Sequence, residues 1–285
     1  AHRLRIERAQ GKTPTILQGR TLAMFFEKPS LRTRVSFEQA MYELGGQAIV
    51  LGQAEVGLGK REAVKDIARV IAGMVDGVMA RVFDHENLIE WADHSSIPVI
   101  NALSDRAHPC QALADIMTMQ DHLGMNLGGS TLAFVGDGNN VAASLARICA
   151  MLNVRFILAS PAGYALDDAE IGRIEGQYPA AKIEMTLDAK QAVAEADVIY
   201  TDTWVSMGQE SEAAQRQKTF AAYQVNEDLL NVAKSEAIVL HCLPAYRGRE
   251  ITDDIMDSDR CHAFVQAHNR LHAQKGLLAV LIGRV

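Results

Sequence analysis

Short β-rich runs alternate with helical patterns along nearly the whole chain. Residues 21–27 (TLAMFFE) read as a strand, and residues 32–44 then show helical spacing with Val35, Phe37, Met41 and Leu44 apolar. Gly45-Gly46 is a stop signal for that helix. A strand at 47–51, a Gly-rich loop at 52–59, a helix at 62–74, a strand at 77–82, a helix at 86–94 and a short strand at 99–101 follow. Pro109 stands where the first residue of another helix belongs, reaching to about residue 123. After Gly124 and Gly129 the alternation restarts, with strands at 131–135, 155–159, 182–185, 197–201 and 237–241. Helices are expected at 141–152, 167–178, 189–195, 210–223, 227–233 and 269–282. Alternation of this kind demands right-handed crossovers and parallel sheets covered on both faces, so the fold expected is α/β with two doubly wound parallel-sheet domains. No internal repeat or low-complexity segment stands out.

A chain of 285 residues, 48% hydrophobic and 22% charged, has ample material for two cores. Its formal charge of −7 argues against non-specific nucleic-acid binding, which needs a positive field, but leaves room for a local anion site. No apolar run approaches the roughly 18–20 residues of a membrane span, and the start has no signal-peptide core. The chain begins at Ala1 without an initiator Met, which predicts residues upstream. Four widely spaced cysteines, with no CxxC and no HExxH, fit a reducing cytosol and argue against zinc.

In parallel sheets ligands sit beyond the carboxyl ends of the strands, so those ends are where chemistry is sought. Glu27-Lys28-Pro29-Ser30-Leu31-Arg32-Thr33-Arg34 lies between a strand and a helix. Ser30 as N-cap, free amides, two hydroxyls and two guanidiniums form either a phosphate cradle or a capped helix with solvated arginines. The helix dipole alone offers about 0.3–1 kcal/mol, so arginine contacts must dominate any anion binding. His108 and Gln111, three residues apart at a helix start, could face one site or simply cap the helix. Val135-Gly136-Asp137-Gly138-Asn139-Asn140-Val141 resembles half of a dinucleotide fingerprint. Val141 at the third glycine position, and Ser160 where an acidic ribose ligand belongs, argue against NAD; the turn either presents Asn140 to another ligand or is structural.

Asp202 follows the strand at 197–201, where a carboxylate could bind an amine or lie in an ordinary surface loop. Cys242 closes another strand beside His241, but adjacent strand residues point to opposite faces, so His241 is poorly placed to activate it. Arg81, at a strand end, and Arg270, read as opening the last helix, are each either a ligand clamp or half of a salt bridge.

Six stretches taken together, FFEKPSLRTRVSFE (25–38), HPCQALAD (108–115), FVGDGNNVAASL (134–145), DVIYTDTWVSMGQE (197–210), HCLPAYRGREIT (241–252) and NRLHAQK (269–275), closely resemble the aspartate/ornithine carbamoyltransferase family. The Ser206-Met207-Gly208 stretch looks like the ornithine-using branch, the ornithine carbamoyltransferases. The resemblance implies transfer of a carbamoyl group from carbamoyl phosphate to the δ-amine of L-ornithine, without a cofactor or metal. It implies a carbamoyl-phosphate domain (1–124 with a returning helix at 267–285), an ornithine domain (125–266), and a cytoplasmic homotrimer or multiple of trimers with the 52–60 loop facing a neighbour.

Carried over by motif, Ser30, Leu31, Arg32, Thr33 and Arg34 hold the phosphate with Arg81, and Arg270 adds charge nearby. Thr33, Arg81 and His108 polarise the carbamoyl oxygen, while Gln111 and the carbonyls of Cys242 and Leu243 hold its NH2. Asn140, Asp202, Ser206 and Met207 recognise the amino-acid end of ornithine, and Cys242 lies near the attacking amine. Departures from the family pattern are Leu31 for a usual Thr, Gly59-Lys60-Arg61-Glu62 for Gly-Arg-Gly-Glu, and His268 for Glu. Rival readings are a carbamoyltransferase for putrescine or a modified ornithine, a non-catalytic paralogue, and an NAD-dependent enzyme.

Overall fold

The computed structural model describes residues 1–59, 61–205 and 209–283. Its chain divides into two compact units, Ala1–Met117 with His268–Val285, and Thr118–Ala267.

The first unit is built on strands β1 (Thr21–Phe26), β2 (Gln47–Gly52), β3 (Gly77–Arg81) and β4 (Val99–Leu103). They pair in the order β2-β1-β3-β4, every pairing parallel. Helices α1 (His2–Ala9), α2 (Leu31–Glu43), α3 (Gln53–Val56), α4 (Val64–Ala72), α5 (His85–Asp93) and α6 (Pro109–Leu123) run between or beside them. β3 is buried along its whole length, as a central parallel strand must be. One face of the sheet packs Leu22, Met24 and Met79 against Phe37, Met41 and Leu278, and the other packs Phe25, Val78 and Ala80 against Ile67, Leu88 and Trp91. The strand order reverses direction between β1 and β3, and that switch point aims the ends of both strands at one crevice.

One helix escapes the hydrophobic spacing, and one expected loop changes. The polar helix α1 was not legible, because in HRLRIERA only Leu4 is buried and no apolar stripe marks it. Within the expected Gly-rich loop, Gln53–Val56 forms a single helical turn, with Gly52 N–H bonded to Glu55 Oε2 at 2.6 Å and Gly57 in the left-handed region closing it.

The second unit carries β5 (Thr131–Val135), β6 (Arg155–Ala159), β7 (Ile183–Thr186), β8 (Val198–Thr201) and β9 (Ile238–His241) in the order β7-β6-β5-β8-β9, again all parallel. Its helices are α7 (Asn140–Met151), α8 (Asp168–Gln177), α9 (Ala189–Val193), α10 (Ala213–Phe220), α11 (Glu227–Leu230) and α12 (Asp253–Met256). Here the switch point lies between β5 and β8. Gly138 has no room for a side chain, since a Cβ there would sit 2.5 Å from the Ala165 backbone.

The last helix, α13 (Ala263–Leu281), begins six residues earlier than residue 269, where the sequence placed it. Phe264 and Val265 are exposed while Gln266 is buried, so the first turn has its polarity inverted and hid from the hydrophobic pattern. Arg270 is therefore an interior helix residue, not the opening one. The segment from His268 onward belongs to the first unit. There buried Lys275 donates to Glu43 at 2.7 Å and to the Leu4 carbonyl at 3.2 Å, tying α13 to α2 and α1. Among the described residues, no helix is long and apolar enough to cross a membrane.

Candidate active site

In the first unit, Ser30 caps α2 as the sequence suggests, its Oγ accepting from Thr33 N at 3.3 Å. Thr33 is buried, Arg32 half-buried and Leu31 76% exposed. Arg34 lies two residues, or about 200°, around the helix from Arg32, is exposed, and pairs with Glu38 at 3.1 Å.

Arg81 ends β3 next to a register shift against β4, where one extra β4 residue re-aims the strand end. Its carbonyl accepts from Glu27 N at 2.9 Å, which joins the ends of β1 and β3. Pro109 opens α6, and His108 and Gln111 are buried at its start. Arg270 closes the group: Nη1 donates to Gln111 Oε1 at 2.8 Å and Nη2 to Thr33 Oγ1 at 3.4 Å. Gln111 also donates to Asp115 Oδ1 at 2.8 Å. The amide expected only to meet substrate is thus already part of a network, with a second lone pair on Oε1 left for a ligand N–H. Burial, then the charges of Arg270, Arg81 and Arg32, hold His108 well below the usual imidazole range. It is neutral at pH 7, and the guanidiniums of all three arginines are felt at its ring.

In the second unit, Asp202 follows β8 and is 7% exposed. Its Oδ1 accepts from Thr203 N at 2.8 Å and from the Cys242 thiol at 3.0 Å; its Oδ2 accepts from Asn139 Nδ2 at 2.8 Å. Asn139, not Asn140, caps α7, and Asn140 is the first helical residue, half-buried. Ser206 and Met207 lie outside the described residues.

His241 is no base for Cys242. Its Nδ1 accepts from Leu243 N at 2.9 Å and its Nε2 meets Glu250 Oε1 at 3.1 Å, which fixes the proton on Nε2. Leu243 takes a left-handed φ of +58° ahead of a cis bond to Pro244. Asp202, His241 and Cys242 bring one donor atom each within 4.8 Å, a set that could hold a metal ion. Among themselves and their neighbours these atoms already form the hydrogen bonds just described. The four cysteines are free thiols.

Three supports escaped the sequence reading. Asn139 caps a helix that starts one residue before the expected 141, so the signal of an Asn directly before a helical run falls on Asn140 in the sequence. Glu250, nine residues after His241, had no local signal. Buried Arg216 donates Nη1 to Asp137 Oδ2 at 2.8 Å and to the Trp204 carbonyl at 3.1 Å, and nothing in the periodicity of α10 distinguishes it.

Comparison with known proteins finds family matches in both halves of the chain. The carbamoyl-P binding domain model of the aspartate/ornithine carbamoyltransferases matches residues 1–121, and their Asp/Orn binding domain model matches residues 128–281. The ornithine carbamoyltransferase of Methanopyrus kandleri is 51% identical over 270 residues, covering 94% of this chain and 86% of the relative. That of Thermococcus kodakarensis is 47% identical over 287 residues, covering 100% and 91%. The solved ornithine carbamoyltransferase of Pyrococcus furiosus superposes with a TM-score of 0.96 at 46% identity, covering 100% of this chain and 91% of that one. The strand-end motifs, the two parallel sheets and the full-length likeness converge, and the chain belongs to the aspartate/ornithine carbamoyltransferase family.

Proposed function

We propose that the protein transfers the carbamoyl group of carbamoyl phosphate to the δ-amine of L-ornithine, giving L-citrulline and phosphate. The observation that carries this reading is buried Arg270 bonded to Gln111 Oε1 at 2.8 Å and to Thr33 Oγ1 at 3.4 Å beside the Ser30-capped start of α2, with Arg81 and His108 buried in the same unit. Such a group suits a small, doubly charged anion with a carbonyl at one end.

The first unit is the carbamoyl-phosphate domain in this reading. The Ser30–Thr33 backbone and hydroxyls with Arg32 and Arg81 take the phosphate. Thr33, Arg81 and His108 donate to the carbamoyl oxygen, and Arg270 with Gln111 fixes the surrounding charge. The second unit is the ornithine domain. Asp202 takes the α-ammonium group, with Asn140, Ser206 and Met207 on the same amino-acid end, and Cys242 lies beside the incoming amine. The Cys242 and Leu243 carbonyls accept from the carbamoyl NH2.

The δ-amine resembles that of lysine, with a free pKa of about 10.4, and must be neutral to attack. Nearby guanidiniums and desolvation lower it. The nitrogen lone pair then adds to the carbamoyl carbon, and the oxyanion that forms is held by Thr33, Arg81 and His108. Collapse breaks the C–O bond and releases phosphate, whose charge the arginines neutralise and which can accept the amine proton. No covalent enzyme intermediate is required. Holding two substrates in line can supply up to roughly 7–11 kcal/mol of the barrier reduction.

Four free thiols support a reducing compartment, the cytoplasm, where citrulline formation serves arginine metabolism and amino-acid biosynthesis. Exposed Val35 and Tyr42 on α2 and Ile49 on β2 support association of copies, a homotrimer or a multiple of trimers. The test is a citrulline assay with an amine panel: L-ornithine should be carbamoylated, and putrescine or modified ornithines should react far more slowly. Preference for putrescine would reassign the substrate, and no turnover with any amine would reject catalysis.

A further inference from the structure

We propose that Asn139 is a positioning residue for the reaction, presetting the Asp202 carboxylate so that one directed acceptor site remains for the substrate's ammonium group. The inference rests on the ornithine reading of Asp202.

Asn139 stands at the junction of β5 and α7, and Asp202 follows β8, the strand beside β5 at the switch point. Their side chains therefore meet across the place where a doubly wound sheet opens. The Asn139 amide has two ends with separate duties. Oδ1 accepts from Val141 N at 2.9 Å and from Ala142 N at 3.1 Å, which locks the side chain to the helix start. With Oδ1 held, Nδ2 has little freedom, and it donates to Asp202 Oδ2 at 2.8 Å.

An ionised carboxylate offers roughly four lone-pair sites. On Asp202 the Thr203 N–H and the Cys242 thiol take both sites of Oδ1, and Asn139 takes one of the two on Oδ2. The remaining site is the second lone pair of Oδ2, and its direction follows from where Asn139 sits. The charge nearby is also managed. Asp137, which feels Asp202 as a like charge, is paired at 2.8 Å with Arg216, which also meets Glu212 at 2.9 Å. Asp202 is thus a buried carboxylate supplied with three neutral donors, which leaves one acceptor site for a cationic ligand.

The competing explanation is that Asn139 only caps α7. Substitution separates the two duties, because Ser and Asp cap helices about as well as Asn. Asn139→Ser keeps a capping oxygen and removes the donor to Asp202. Loss of one hydrogen bond to a charged group is expected to lower kcat/KM for ornithine by roughly 10- to 100-fold. Carbamoyl phosphate affinity by calorimetry and the melting temperature should stay near wild type. Asn139→Asp also caps, but it faces Asp202 with a second carboxylate. When the pair shares a proton, the acid can donate where the amide did, so its activity relative to wild type should rise as pH falls.

Wild-type ornithine kinetics in Asn139→Ser, or losses that track stability and carbamoyl phosphate binding equally, would overturn the proposal. Asp202→Ala is the control for the reading beneath it. If Asp202→Ala damages ornithine use and Asn139→Ser does not, Asn139 is only a cap and the ornithine assignment stands. If Asp202→Ala leaves ornithine kinetics intact, both fall. In the double variant, Asn139→Ser should add nothing to the defect of Asp202→Ala.

Discussion

Arg270 donates to Gln111 Oε1 at 2.8 Å across 159 positions of sequence, and this bond joins the C-terminal helix to the start of α6. Both residues are buried, at 2% and 1% exposure, so the bond works in a weakly screened setting. It also explains how a cation from the end of the chain comes to act on His108, whose ring feels Arg270 more strongly than Arg81 or Arg32.

Gln111→Leu conserves much of the volume but removes the acceptor used by Arg270 and the donor used by Asp115. Leaving such buried groups with one fewer partner costs about 1–3 kcal/mol. The variant should therefore unfold at lower denaturant and bind carbamoyl phosphate at least tenfold more weakly by calorimetry. Unchanged unfolding and binding would show that the bond contributes to neither.

Arg32 and Arg34 are two residues apart and should behave as strangers. Arg32→Ala removes one of the three guanidiniums felt at His108 and should abolish measurable carbamoyl phosphate binding at concentrations that saturate the wild type. Arg34→Ala breaks an exposed pair with Glu38, worth only about 0.3–0.5 kcal/mol, and should leave affinity within a factor of two. Equal damage from the two substitutions would show that Arg34 belongs to the phosphate site as Arg32 does.

The contrast marks how far the sequence could be read. Strand-helix alternation announced two parallel sheets, and local chemistry announced the Ser30 cap and Pro109 at the start of α6, because each is decided within one or two turns of chain. Which face of α2 Arg34 occupies, and that Asn139 reaches Asp202 over 63 positions, depend on strand order and packing. Helix α1 and the first turn of α13 were lost for a related reason. Hydrophobic spacing finds helices that bury an apolar stripe, whereas α1 buries only Leu4 and α13 begins by burying Gln266, which donates to the Tyr200 hydroxyl at 3.0 Å.

Cys242 donates its thiol proton to Asp202 Oδ1 at 3.0 Å, and His241 is occupied by Leu243 and Glu250. The acceptor is a carboxylate, a much weaker base than a thiolate, and no free imidazole stands by to take the proton, so the thiol is held as a donor and not activated as a nucleophile. Cys242→Ser keeps an O–H donor to Asp202 and should slow turnover while retaining it. Intact-mass measurement during turnover of the wild type should find no carbamoyl adduct on Cys242. Rapid formation of such an adduct would contradict direct transfer.

Stability should fall on the acid side through His272. This residue of α13 is 7% exposed, and its pKa is lowered from 6.5 to about 4 by burial first and then by Lys275, Arg8 and Arg5, against an opposing effect of Glu43. In the unfolded chain the imidazole takes a proton as pH drops through about 6.5, whereas the folded one stays neutral until about 4. Protonation therefore favours the unfolded state between those values: the stability is full above 6.5 and is lost as pH falls toward 4. Between pH 7.5 and 5 the loss from this residue is on the order of 2 kcal/mol. His108, also held neutral, adds to the loss in the same direction. His272→Phe should remove the first contribution and keep the second, so urea unfolding at the two pH values should differ by about 2 kcal/mol less in the variant than in the wild type. Equal pH dependence in both proteins would mean that the folded state takes up the His272 proton as readily as the unfolded chain does.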